Sequence, residues 1–156
     1  MKLAVDFQIA CDDENLPSKI QVEEWLTLAL PNNENVEMVV RIVDERESED
    51  LNSSYRQKDS PTNVLSFPFE LPGELPADAL ENNYLGDLVI CASVVREEAK
   101  QQSKTLLSHW AHMVIHGCLH LQGYDHIEPA QADEMEAIEI EKLAMLDINN
   151  PYEAKA

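Results

Sequence analysis

Cations are scarce in this chain. Eleven Lys and Arg stand against thirty Asp and Glu among 156 residues, a formal net charge of −19. A field of that sign repels nucleic acid and anionic membranes at long range. A polyanionic substrate then requires a local basic patch, a bound cation or a partner. Cysteine is scarce too. Cys11, Cys91 and Cys118 are odd in number, widely spaced and form no CxxC pair. That excludes a disulfide framework and suits a reducing compartment. No apolar run approaches the roughly 18 residues of a membrane span. Asp6 and Gln8 interrupt the start, "MKLAVDFQIACDDE", before it can serve as a signal core. A cytoplasmic protein with no membrane partner is expected. There is no internal repeat and no low-complexity linker. The length suits one domain, 1–156, with a real core.

What is present reads as strands early and helices late. Leu3, Val5, Phe7, Ile9 and Cys11 alternate with other residues, the period of a strand. Ser18 with Gln21 has the form of a capping box. Behind it Val22, Trp25, Leu26, Ala29 and Leu30 make one helical face, and Pro31 follows. "VEMVVRIVD" (36–44) predicts a second strand, and "ERESEDLNSSYR" a short polar helix before a loop. "TNVLSFPFE" (62–70) predicts a third strand, placed at an edge or ended by Pro68, which cannot donate to a ladder. Residues 71–83 read as a loop, 84–92 as a fourth strand, and about 93–102, 104–121 and 129–146 as helices. The expected architecture is α+β: a mostly mixed sheet of about four strands, helices packed on it, and three helices at the C-terminal end.

"HGCLHLQGYDH" carries three of the five histidines. A helix turns about 100° per residue, so His116 and His120 lie about 40° apart and one turn along. Two histidines at that spacing can hold one zinc ion. Gly123 readily takes the left-handed conformation that ends a helix, and the returning chain can bring His126 to the same point. The site sits at the end of a helix whose other face, Leu106, Leu107, Trp110, Val114, Cys118 and Leu121, should be core. Cys118 points roughly 200° away from the pair and reads as a small core residue. His112 and His116 also stand four apart, but His112 and His120 are about 12 Å apart along the axis and cannot share an ion. His109 and His112 are read as hydrogen-bonded core or surface residues.

Three nitrogen ligands leave a tetrahedral ion one open position, the mark of catalytic rather than structural zinc. A water held there has its pKa lowered to about 7. The spacing H-x-x-x-H-x-x-G-x-x-H is that of metzincin peptidases, which carry Glu directly after the first His. Here that position is Gly117, so the peptidase base is missing. Asp87 and Asp125 are candidate substitutes, each with a structural alternative: ending a strand, or orienting a ligand histidine. Arg56 and Lys58 stand close together in a chain poor in cations, and the arginine fork suits phosphate oxygens. Arg96, Lys100 and Lys104 are candidates for a second patch. The competing reading of all five is solvated charge paired with nearby carboxylates.

Taken together, "YRQKDSPTNVLSFPFE", "LGDLVI" and "HGCLHLQGYDH" resemble the YbeY family of bacterial metal-dependent endoribonucleases, over about Val36 to Leu146. The resemblance implies an α+β fold and one zinc ion per chain held by His116, His120 and His126. It implies cleavage of single-stranded RNA, not DNA, in maturation of the small-subunit rRNA 3′ end and in ribosome quality control. The ribosomal small subunit or its proteins would be partners. Arg56 falls on the family's functionally important arginine, where Gly commonly follows; here Gln57 does. Arg56 and His116 are thus the candidate catalytic residues, with Arg56 and Lys58 binding substrate. Two alternatives stand beside this reading. One is a metallohydrolase of another substrate class; the other is a non-catalytic ribosome assembly factor with a structural metal.

Overall fold

The computed structural model describes residues 3–30, 35–68, 83–124 and 127–152. Each patterned stretch forms the expected element. The alternating N-terminal segment is β1 (Leu3–Ala10), and the Ser18–Gln21 capping box opens α1 (Lys19–Ala29). The structure continues with β2 (Val36–Val43), α2 (Glu45–Arg56), β3 (Val64–Pro68) and β4 (Asn83–Cys91). Three helices follow: α3 (Ala92–Gln101), α4 (Leu106–Leu121) and α5 (Pro129–Ala144). Pro31, the last two residues of the expected third strand (69–70) and the stretch 71–82 lie outside the described residues.

The sheet order is β1-β2-β4-β3, with β1, β2 and β4 parallel and β3 antiparallel to β4. The sheet is therefore mixed. β3 is an edge strand that ends on Pro68, where a missing N–H does no harm. Val36, Met38, Val40 and Ile42 of β2, with Leu88 and Ile90 of β4, face the main core. Val22, Trp25 and Leu26 of α1 and much of α4 meet them there. A smaller cluster on the opposite face joins Val43, Leu65, Val89 and Cys91 to Leu51 and Phe67.

α4 is more deeply set than one apolar face would require. Trp110, Val114, Cys118 and Leu121 are buried as expected, but so are His109, Ala111, Met113, Ile115 and Leu119. The helix packs on α1, α3, α5, β3 and β4 at once, so it is apolar nearly all round. Leu107 departs from expectation. It lies in the first turn and is half exposed.

α2 buries only two residues, Ser48 and Asn52, and both are polar. Their role is to hold the chain that follows. Ser48 Oγ donates to the Thr62 carbonyl and accepts from the Thr62 N–H, both at 3.0 Å, and Asn52 Nδ2 donates to the Ser60 carbonyl at 2.7 Å. These bonds tie the entry to β3 back onto the helix and set Arg56 beside the strand. Gln57, where the resemblance implies Gly, takes φ 57° and ψ 34°, a left-handed helix end. The turn shape that glycine adopts freely is thus kept by a residue for which it is strained.

Gly117 explains its own identity. A Cβ there would stand 2.7 Å from Leu88 Cδ2 and 3.0 Å from Val64 Cγ2. Close contact with β3 and β4 leaves room for no side chain, and Ser66 Oγ donates to the Gly117 carbonyl at 3.0 Å across the same seam. Gly117→Ala should therefore destabilise the protein by about 1–3 kcal/mol through overpacking. Denaturant unfolding measures this; an unchanged midpoint would show that the seam is slack.

Candidate metal centre

The structure brings together two of the three histidines proposed as ligands. His116 Nε2 and His120 Nε2 lie 3.1 Å apart, with ring centroids 4.6 Å apart and planes at 85°. His126 and Asp125 lie outside the described residues. The far nitrogens explain the orientation of the near ones. His120 Nδ1 meets the Tyr124 carbonyl at 3.0 Å. A carbonyl only accepts, so Nδ1 carries the proton and Nε2 presents a lone pair. The Gly123 bend, with φ 102°, delivers that carbonyl by turning Tyr124 back over the helix end. Gly123 N–H donates to the His120 carbonyl and Tyr124 N–H to the Leu119 carbonyl.

His116 Nδ1 is held by Glu139 Oε1 from α5. Glu139 is fully buried. Burial alone would raise its carboxyl pKa. Hydrogen bonds from the histidines and the Tyr152 hydroxyl outweigh that and hold it down to about 2. The ionised carboxylate accepts from His116 Nδ1, so this ring too presents a lone pair at Nε2. Nitrogens at the usual zinc distance of about 2.0–2.1 Å in a tetrahedral shell sit about 3.3 Å apart. The observed 3.1 Å fits a shared cation.

A second arrangement of ligand atoms is present. His112, His116 and Glu139 offer one atom each within 4.8 Å of one another. His112 Nε2 is 3.6 Å from Glu139 Oε1 and 3.2 Å from the Tyr152 hydroxyl. Burial lowers the His112 pKa more than Glu139 raises it, so the ring stays neutral. One neutral imidazole has one lone pair. His116 can give it at Nε2 beside His120, or at Nδ1 beside His112, but not at both. The His112 side is buried and closed by its own hydrogen bonds. The His120 side opens onto a cleft of about 700 Å³, lined also by Arg56, Asn63, Ser66 and Tyr124. Only the latter can present an ion to substrate.

The other candidates fall as follows. Arg56 lines the cleft and makes no ion pair among the described residues. Lys58, two residues on, is exposed but is not part of the described lining. Asp87 pairs in register with Val39 and Phe67 and accepts from the Tyr84 hydroxyl. Its strand neighbours Gly86 and Leu88 face α4, so Asp87 points to the other side of the sheet, away from the histidine pair. Cys118 is fully buried, and burial pushes its thiol to about 12 despite a bond from Gln122. It stays protonated and is no ligand. His109 is a hydrogen-bonded core residue, its Nε2 2.9 Å from Glu98 Oε1, while Asn63 Nδ2 meets the same carboxylate at 3.1 Å. Arg96 pairs with Asp13 and Lys104 donates to the Pro151 carbonyl, so these two are engaged locally.

Glu139 and Tyr152 were not singled out in the sequence. Glu139→Gln keeps the shape of the side chain but loses the charge that fixes the His116 tautomer. It should weaken metal binding about 10- to 100-fold, read by competition with a chromophoric chelator. Unchanged affinity would mean that Glu139 serves only packing.

The model of the family described as "Endoribonuclease YbeY" matches residues 8–147. An endoribonuclease YbeY of Colwellia psychrerythraea is 50% identical over 157 residues, which is 97% of this chain and 98% of that protein. A Thermotoga maritima protein whose structure was solved in solution superposes with a TM-score of 0.51 at 25% identity, over 96% of this chain and 97% of that one. With the histidine pair, its buried carboxylate and the arginine all in one mixed α+β frame, the chain belongs to the YbeY endoribonuclease family.

Proposed function

We propose that this protein cuts single-stranded RNA in the His116–His120 cleft with one zinc ion, and that its substrate is the 3′ end of small-subunit rRNA. The observation that carries this reading is the meeting of two lone-pair nitrogens 3.1 Å apart on the wall of a cleft that also holds Arg56. The family and the Colwellia relative, named as an endoribonuclease, support the substrate class.

His116, His120 and His126 would hold the ion. When bound, zinc supplies a Lewis acid for a phosphoryl oxygen and lowers the pKa of a coordinated water. The remaining chemistry falls to the chain. Glu139 and the Tyr124 carbonyl keep both rings in the ligand tautomer. Arg56 offers its fork to the phosphate and stabilises charge that develops there. Lys58 adds positive charge on the same turn. Asp87 is not among the residues that line the cleft and accepts from the Tyr84 hydroxyl, so it is not placed to serve as base. Gly117 counts against the peptidase alternative, because a carboxylate placed there would run into Leu88 and Val64 rather than reach the cleft.

The charge of −19 opposes encounter with free RNA. Delivery by the small ribosomal subunit or its proteins, in the cytoplasm, offsets that repulsion and fits a role in rRNA maturation and ribosome quality control. Three free cysteines suit that compartment.

Chelation followed by dialysis should abolish cleavage of a single-stranded oligoribonucleotide while circular dichroism stays native, and added zinc should restore it. Arg56→Ala should lower kcat about 100-fold. Full cleavage after chelation removes the metal from the reaction. Loss of fold on chelation would favour the structural-metal alternative. An unchanged Arg56→Ala enzyme removes the arginine.

A further inference from the structure

We propose that Tyr55, braced by Phe67, is a stacking platform for one unpaired nucleobase of the RNA strand. This rests on the reading of the cleft as an endoribonuclease site and says how that site grips a strand. Tyr55 lies in the last turn of α2, directly before Arg56, and lines the same cleft as the histidine pair. The residue is 69% exposed. Other large apolar side chains are exposed too, and singly they mean little. Tyr55 differs in place and in support. Its ring meets that of Phe67 edge to face, with centroids 5.2 Å apart and planes at 67°. Phe67 in turn packs on the cluster of Val43, Leu65, Val89 and Cys91. The tyrosine ring is therefore held from behind while most of its surface remains in water.

The hydroxyl is not what fixes it. The Tyr84 and Tyr152 hydroxyls bond to carboxylates, whereas that of Tyr55 makes no hydrogen bond among the described residues. What Tyr55 offers a ligand is its ring. Every nucleobase has a face that stacks on such a ring, provided it is not already paired and stacked in a duplex. Arg56, next in the chain, takes phosphate. Adjacent residues thus address the two parts of a nucleotide, and a duplex cannot satisfy both. Stacking also suits this protein for an electrostatic reason. With a net charge of −19 it cannot hold RNA by charge alone, and a neutral contact adds affinity that salt does not screen.

The test uses the zinc-loaded full chain, an unpaired oligoribonucleotide, and a series of the same oligomer with one abasic site moved along it. Binding is read by fluorescence anisotropy and cleavage by steady-state kinetics. Tyr55→Ala should raise Kd and KM about tenfold, leave kcat nearly unchanged, and show the same penalty at low and high salt. Tyr55→Trp should bind like wild type. An abasic site at one position should weaken wild type about tenfold and leave Tyr55→Ala indifferent at that position. Equal penalties for both proteins at every position, or an unchanged Kd in Tyr55→Ala, overturn the platform. If wild type binds the series as described but cuts none of it, the endoribonuclease reading fails and the platform stands.

Discussion

Two hydrogen bonds on the far side of two imidazoles decide what the near side can do. Glu139 accepts from His116 Nδ1 and the Tyr124 carbonyl accepts from His120 Nδ1, so both Nε2 atoms face one point as lone pairs. Two lone pairs in contact repel unless a proton or a metal ion lies between them. Each of the two anchors depends on a different part of the fold. The carboxylate comes from α5 and is tolerable in the interior only because two histidines and the Tyr152 hydroxyl surround it. The carbonyl comes from the Gly123 bend.

The cleft lies along the edge strand β3. α4 brings the histidines to one side of it, and α2 brings Tyr55 and Arg56 to the other. Each side is held by buried polar contacts rather than by apolar packing alone. Ser48 and Asn52 fasten the loop after α2, and Ser66 and Gly117 join β3 to α4. The close seam that forbids a side chain at Gly117 brings the helix near enough for its histidines to line the same cleft as Arg56. One packing constraint thus removes the peptidase base and helps build a site suited to a phosphodiester.

Much of this was legible in the sequence because local rules governed it. Period-two alternation, the Ser18–Gln21 box, Pro68 at a strand end and Gly123 at a helix end each mark their element within a few residues. The His116–His120 pair needs only helical geometry. Contacts set by distant parts of the chain were not legible. Glu139 left one trace: it stands between Met135 and Leu143 on the buried face of α5, a charge at a core position. That marks a residue in need of a partner without saying which. Leu107 kept the apolar spacing of α4 yet lies outside its packed length, since periodicity does not show where packing stops. The position of Asp87 on the far face depended on the facing of β4, which no local pattern fixes when both faces carry apolar residues.

In the proposed site His116 meets the metal through Nε2 beside His120, not through Nδ1 beside His112. Zinc stoichiometry of His120→Ala and His112→Gln, measured together on chelator-stripped and reloaded protein, tests it most directly. One tightly bound zinc is expected in wild type and in His112→Gln, and none in His120→Ala. Zinc retained by His120→Ala and lost from His112→Gln would contradict it.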